Sequence, residues 1–170
     1  MDAASLRAQQ APLKEQYKDN PDSARVTLSS SSTLDADGVS CSLSVGNALK
    51  KAGLHAMAGG TDAEQLCSGD MLLESLVACT GVTLKAVATS LEIPVNSGTI
   101  TAEGDLDFRG TLGVDKTVPV GFAAIRIKFD LDCGETPQEK IDLLIKLTER
   151  YCVVLQTLKN PISCESIVVH

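Results

Sequence analysis

The chain has 170 residues, a length that fits one domain with its own hydrophobic core. Hydrophobic residues make up 44% and charged residues 22%, which excludes a disordered protein, and the net charge of −7 excludes ordinary nucleic-acid binding. The first residues, MDAASLRAQQ, lack the apolar core of a signal peptide, and no apolar run approaches the about 18 residues of a membrane span. We therefore expect a cytoplasmic protein with neither a membrane nor a nucleic acid as its partner.

The first predicted elements are a short helical segment and a β-hairpin. Residues 3–19 are rich in Ala, Leu, Gln and Lys and predict one helix, or two broken at Pro12. Residues 25–32 and 39–45 are β-rich, and an Asp-Gly turn signal between them predicts a hairpin. Strict alternation in the second strand predicts that Cys41 faces the core.

The longest apolar segment follows, and it predicts a central helix over residues 68–91. Two apolar stripes at helical spacing indicate that this helix is buried and not laid on a surface. Ser68 is expected to cap its first turn, and Asp70 lies where the helix dipole favours a carboxylate. Pro94 marks the end, and Cys79 lies at the centre.

The remainder predicts two strands, a second long helix and a final strand. Residues 99–108 and 120–131 alternate apolar with polar side chains, as strands do. Residues 135–158 have helical spacing that breaks and restarts near Cys152, and residues 163–169 are predicted to form the last strand. This order predicts an α+β fold in which an antiparallel sheet wraps around two long central helices. One small sheet cannot cover the central helix, so we expect a homodimer.

Six cysteines stand at positions 41, 67, 79, 133, 152 and 164. None forms a C-x-x-C pair, and only two histidines are present, so we expect neither a metal site nor a cofactor. Cys79 and Cys152 are each the only cysteine on a long helix, and two packed helices can bring such residues together. Either they are inert core residues, or they are the pair that a thiol peroxidase needs, one thiol to form a sulfenic acid and one to condense with it.

Two stretches carry a family resemblance: SGDMLLESLVACTGVTLKAVATSLEIPV and, downstream, ERYCVVLQTLKNPI. They resemble the OsmC/Ohr family of peroxide-detoxifying thiol proteins, whose pattern is a carboxylate, Leu-Leu, and a small residue before a helical cysteine. Asp70, Leu72-Leu73 and Ala78-Cys79 fall on that pattern, and Cys152 falls on the second cysteine. The resemblance covers roughly residues 25–169, which assigns residues 1–22 to an N-terminal helical extension and residues 23–170 to an OsmC-like domain.

The resemblance implies an intertwined homodimer with its sites at the subunit interface. It implies that Cys79 is the peroxidatic cysteine, that Cys152 is the resolving cysteine, and that Asp70 orients a basic partner. The implied substrates are organic hydroperoxides, and the implied reductant is a dithiol such as a lipoylated protein or thioredoxin.

The family's activating arginine, carried on the first hairpin turn, has no counterpart in this chain's turn, LDADG. Arg25, Arg109, Arg126 and Arg150 are candidate substitutes, and none matches by position. Lowering a thiol pKa takes a nearby cation or a helix N-terminus, and Cys79 lies about 15 Å from the start of its own helix. The alternative is therefore a protein of the same fold that binds an apolar small molecule at the dimer interface, with the cysteines as lining.

Overall fold

The structure, a computed structural model, describes residues 3–34, 41–43, 52–60, 66–160 and 162–168. The helices are α1 (Ala3–Asp19), α2 (Ser68–Ser90), α3 (Phe108–Thr111), α4 (Gln138–Tyr151) and α5 (Val153–Lys159). Single 3-10 turns span Pro21–Ala24 and Ala56–Ala58. The strands are β1 (Arg25–Leu34), β2 (Cys41–Leu43), β3 (Ala52–Gly53), β4 (Leu66–Cys67), β5 (Ser97–Asp107) and β6 (Ala124–Asp132).

Four strands form an antiparallel sheet in the order β2-β1-β5-β6. Its register pairs Val26 with Leu106 and Ile100 with Phe129. The short strands β3 and β4 form a separate parallel pair. The predicted α+β class is confirmed, and β1 and β2 pair as the predicted hairpin requires, although its turn and the side chain of Cys41 lie outside the described residues.

Alternation along β5 and β6 gives the sheet one apolar face. Ile100 and Ala102 are fully buried on β5, while Ile127 and Phe129 on β6 are half-buried between exposed neighbours. Helix α2 lies against β1 and β5, and α4 and α5 pack on α2. Helix α2 therefore contacts most of the elements that build the main core.

Helix α2 has the burial that its two stripes predict on the side facing the sheet, where Leu73, Val77 and Leu84 are fully buried. By length and composition it is also apolar enough to cross a membrane, which corrects the expectation that no run approaches that length. Its packing against the sheet, α4 and α5 identifies it as the core helix of a folded domain.

Helix α1 runs unbroken through Pro12, so of the two alternatives that the sequence left open, the single helix is confirmed. Contacts on both sides of the proline hold it in one piece: the Gln10 amide donates to the Ala58 carbonyl, and the Tyr17 hydroxyl donates to the Met57 carbonyl. Tyr17 belongs to a second small core with residues of the main domain, Ala24, Ala58, Phe108 and Leu112. The division between residues 1–22 and 23–170 stays a prediction.

Two further expectations about segment ends are wrong. The N-cap of α2 is Cys67, with no side-chain capping bond, and Ser68 is the first helical residue. Residues 162–168 are exposed and form no strand, although the sequence there favours one. A strand needs a sheet edge to supply its hydrogen bonds, and within the described ranges this segment pairs with no strand.

Candidate redox site

Cys152 lies at the junction where α4 ends and α5 begins, so the predicted break in the second long helix is confirmed. Its backbone is extended, with φ −70° and ψ 106°, and its side chain is fully buried. Cys79, at the midpoint of α2 and half-buried, lies beside it. The structure thus brings together the two sulfur atoms that the sequence selected, one from each helical region.

The break provides free hydrogen-bond donors. The N–H of Cys152 still bonds the Thr148 carbonyl at 2.9 Å, as the last residue of a helix does. The next two N–H groups, of Val153 and Val154, belong to the first turn of a new helix. They therefore have no carbonyl acceptor within that helix. Both hydrogen-bond the Cys79 sulfur.

These donors set the ionisation of Cys79. Burial raises its pKa, but hydrogen bonds outweigh burial and leave the pKa below that of an ordinary cysteine. The donors are the Val154 N–H, the Cys152 thiol, the Thr83 hydroxyl and the Val153 N–H. Cys79 is therefore stabilised as a thiolate by backbone and side-chain donors in place of a cation.

The pKa of Cys152 shifts in the opposite direction. Burial raises its pKa, and so does the neighbouring charge of Cys79, while the Thr80 hydroxyl and the Leu155 N–H oppose the rise without cancelling it. The Thr80 Oγ1 lies 3.4 Å from the Cys152 Sγ, and the Leu155 N–H donates to the same sulfur at 3.5 Å. The two neighbouring thiols therefore have pKa values shifted in opposite directions, that of Cys79 downward and that of Cys152 upward.

Chemically, this arrangement separates the two roles of a thiol pair. The sulfur with the lowered pKa ionises more readily and is the better nucleophile, whereas the sulfur with the raised pKa holds its proton more strongly. Both cysteines are free thiols here. Their catalytic roles are not tested by this contact and stay predictions.

Asp70 is not brought to the sulfur pair. It lies nine residues before Cys79, which is about 13.5 Å along the axis and half a turn around it. Burial raises the pKa of Asp70, and the electrostatic influence of the nearby His55 opposes that rise. The role of Asp70 as the residue that orients a basic partner stays a prediction.

The four candidate arginines are engaged elsewhere. Arg109 pairs with Asp107, and Arg126 pairs with acidic residues of β5. Arg25 pairs with Asp22, and Arg150 lies over the ring of Tyr151. Within the described residues, no arginine is among the groups that set the pKa of Cys79.

Three contributors were missed at the sequence level: the hydroxyls of Thr80 and Thr83 and the N–H groups that the helix break frees. The break itself was predicted, and free N–H groups follow from any helix start. Nothing in the sequence showed that they face Cys79. Across the described ranges, no three His, Cys, Asp or Glu side chains cluster in a way that could hold a metal ion.

Comparison with known proteins identifies the family of this chain. A family model described as OsmC-like protein matches residues 60–166. The chain belongs to the OsmC-like family. A crystal structure of an OsmC-like hydroperoxide resistance protein from Jannaschia sp. CCS1 is similar in fold, with a TM-score of 0.60 and 14% identity, over 83% of this chain and 91% of that one. A search among curated proteins finds no match. The family match covers α2, α4 and α5, and so includes both cysteines of this OsmC-like protein.

Proposed function

We propose that this OsmC-like protein is a thiol peroxidase that reduces organic hydroperoxides, with Cys79 as the peroxidatic and Cys152 as the resolving cysteine. The observation that carries the proposal is the contact of two thiols whose pKa values are shifted in opposite directions. The related hydroperoxide resistance protein supports the same chemistry, since its fold is shared.

The first step uses the Cys79 thiolate. Its sulfur attacks the terminal oxygen of the hydroperoxide, the S–O bond forms, and the O–O bond breaks. The alkoxide takes up a proton and leaves as an alcohol. Cys79 is oxidised by two electrons to a sulfenic acid.

The second step uses Cys152. Its sulfur attacks the Cys79 sulfur, the S–S bond forms, and the S–O bond breaks. The departing hydroxide takes the proton that Cys152 loses and leaves as water. A dithiol, such as a lipoylated protein or a thioredoxin-like protein, then returns both cysteines to thiols by two exchange reactions.

The surroundings of the sulfur pair favour an organic substrate. Cys79 packs against the main hydrophobic cluster, which includes Leu76, Leu155 and Val154. Binding an alkyl group there removes apolar surface from water, a gain that hydrogen peroxide cannot make. The proposed location is the cytoplasm, where dithiol reductants are available.

We assign the protein to an intertwined homodimer. On α2, Met71, Leu72 and Val82 leave apolar surface exposed along the side that the sheet does not cover. The C-terminal segment exposes Ile162, Ile167 and Val168 by 60 to 80%. Apolar surface of this extent is typical of a protein interface, and a second copy of the chain supplies the cover that the resemblance implies.

The test is mass spectrometry after one equivalent of cumene hydroperoxide. We expect a Cys79–Cys152 bridge in the wild-type protein, and consumption of excess hydroperoxide with dihydrolipoamide as reductant. Cys79→Ser should abolish consumption, whereas Cys164→Ser, which removes an exposed thiol far along the chain, should leave it intact. Unchanged consumption by Cys79→Ser would rule out the proposal.

A second candidate function is a binding protein for an apolar small molecule on the same fold. It is favoured by the arginines, which are held by carboxylates or by Tyr151 and leave Cys79 without a cationic partner in the described part of the chain. Its signature is slow and equal labelling of all the thiols by iodoacetamide at neutral pH. Fast labelling of Cys79 alone excludes it.

A further inference from the structure

The Thr80 hydroxyl has an unusual partner for a helical threonine. Threonines inside helices commonly turn the hydroxyl back to the carbonyl four residues earlier. Thr89, on the same helix, does this, donating to the Lys85 carbonyl at 2.8 Å. Thr80 instead directs its oxygen to the Cys152 sulfur at 3.4 Å, and both side chains are fully buried.

Thr80 is also adjacent to Cys79 in the chain. One residue of α2 thus presents the sulfur that becomes oxidised, and the next holds the sulfur that must attack it. The Cys152 sulfur receives a second hydrogen bond from the Leu155 N–H at the start of α5. These two partners lie on different helices and fix the sulfur between them.

We propose that Thr80 is the positioning residue of the resolving step, holding the Cys152 sulfur beside Cys79 and donating to it as it attacks the sulfenic acid. This inference rests on the proposed function. A hydroxyl suits the task because it can accept from the resting thiol and, after rotating, donate to the thiolate. In the attack itself the S–S bond forms, the S–O bond of the sulfenic acid breaks, and the proton of Cys152 leaves with the hydroxide as water.

Thr148 offers a matched control. It lies one turn before Cys152 on α4, is fully buried like Thr80, and its Oγ1 has no hydrogen-bond partner in the described part of the protein. Thr148→Val and Thr80→Val therefore make the same change in the same buried layer. Of the two substitutions, only Thr80→Val removes a contact with the Cys152 sulfur.

The experiment separates the two chemical steps. Sulfenic acid formation is measured with dimedone in a Cys152→Ser background, and disulfide formation is measured by acid quench and mass spectrometry in proteins that keep Cys152. In the Cys152→Ser background, we expect Thr80→Val to form sulfenic acid at a rate within twofold of the protein that keeps Thr80. In proteins that keep Cys152, Thr80→Val should slow disulfide formation about tenfold, the loss expected for one hydrogen bond to a charged group. At excess hydroperoxide, Cys79 should then accumulate as sulfinic acid.

A pH profile distinguishes this role from mere packing. Removing a donor to the Cys152 thiolate should move the rate of disulfide formation toward higher pH in Thr80→Val, with Thr80→Ser restoring the wild-type profile and Thr148→Val leaving it unchanged. If Thr80→Val fails to fold, Thr80→Ala and Thr80→Ser carry the same comparison.

The outcomes are distinct. A disulfide that closes at the wild-type rate in Thr80→Val, or an equal slowing in Thr148→Val, overturns the role of Thr80 and leaves the peroxidase proposal standing. A wild-type protein that forms no sulfenic acid at all overturns the proposed function, and the role of Thr80 with it.

Discussion

The clearest test of how Cys79 is activated is Val153→Pro. Proline has no N–H, so the substitution removes one of the two backbone donors to the Cys79 sulfur. The site tolerates the change for three reasons. Val153 is the first residue of α5, where proline is favoured. Cys152 before it already has the extended backbone that a residue before proline needs. The Val153 side chain is 71% exposed, so little packing is lost.

The expected magnitude follows from the strength of one hydrogen bond to a charged group. Such bonds contribute about 1.5–3 kcal/mol, and the contribution here is smaller, since Cys79 is half-buried and Val153 is its weakest donor. A loss of about 1 kcal/mol corresponds to roughly a fivefold fall in the ionised fraction at pH values below the pKa. Losing a donor to the thiolate raises the pKa of Cys79, so the rate curve moves toward higher pH.

The assay is the rate of Cys79 alkylation by iodoacetamide between pH 5 and pH 10, followed by mass spectrometry of the peptide that contains it. Val153→Pro should react about fivefold more slowly at low pH and reach the wild-type plateau at high pH, as expected from the lost hydrogen bond. Val153→Ala keeps the N–H and is the control. An unchanged profile in Val153→Pro, or an equal shift in Val153→Ala, would refute activation by the helix break.

Three further predictions concern stability and assembly. Leu73→Ala should lower the free energy of unfolding by about 3 kcal/mol in urea titrations, because it opens a cavity under α2, and a loss below about 1 kcal/mol would contradict the packing described. Asp105 has a pKa lowered to about 2 by hydrogen bonds from Arg126 and Thr27, so its contribution to stability is complete above about pH 4 and is lost as the pH falls toward 2. Asp105→Asn should remove that part of the pH dependence in thermal melts, and an unchanged dependence between pH 4 and 2 would show that the interaction is absent in solution. Val82→Glu places a charge on the exposed apolar side of α2 and should convert a dimer into monomers in analytical ultracentrifugation, and a dimer of wild-type affinity would move the interface elsewhere.

The elements that could be predicted from the sequence are those fixed by local pattern. Alternation over residues 99–108 and two apolar stripes over 68–91 are enough to define β5 and α2, because burial on one face dictates both periods. The break near Cys152 was also visible, since the helical spacing fails there.

Tertiary contacts decide what a local signal leaves open. At Pro12 the sequence allowed one helix or two, and hydrogen bonds from Gln10 and Tyr17 to the segment around Ala58 hold α1 together across the proline. Residues 163–168 have strand propensity but lack a neighbouring edge in the described part of the chain. A segment with strand propensity forms a strand only where another strand supplies partners for its backbone hydrogen bonds.

At the redox site, the two cysteines could be predicted from the sequence. The groups that lower the pKa of Cys79 could not. Both cysteines were selected from their helices and from the family pattern. The search for an activating group was directed at arginines, because cations are the common means of ionising a thiol. Backbone N–H groups carry no sequence signature, and only the path of the chain around Cys152 shows that they converge on Cys79.

At the start of helix α5, the N–H groups of Val153 and Val154 bond the Cys79 sulfur. By thermodynamic reciprocity, each partner of this interaction must affect the other. If the start of α5 favours the ionised form of Cys79, then ionisation of Cys79 must favour the start of α5 by the same free energy. Protonating or alkylating that sulfur weakens both hydrogen bonds and should therefore destabilise the start of a helix of only seven residues. The chemical state of one sulfur atom is thereby coupled to the stability of α5.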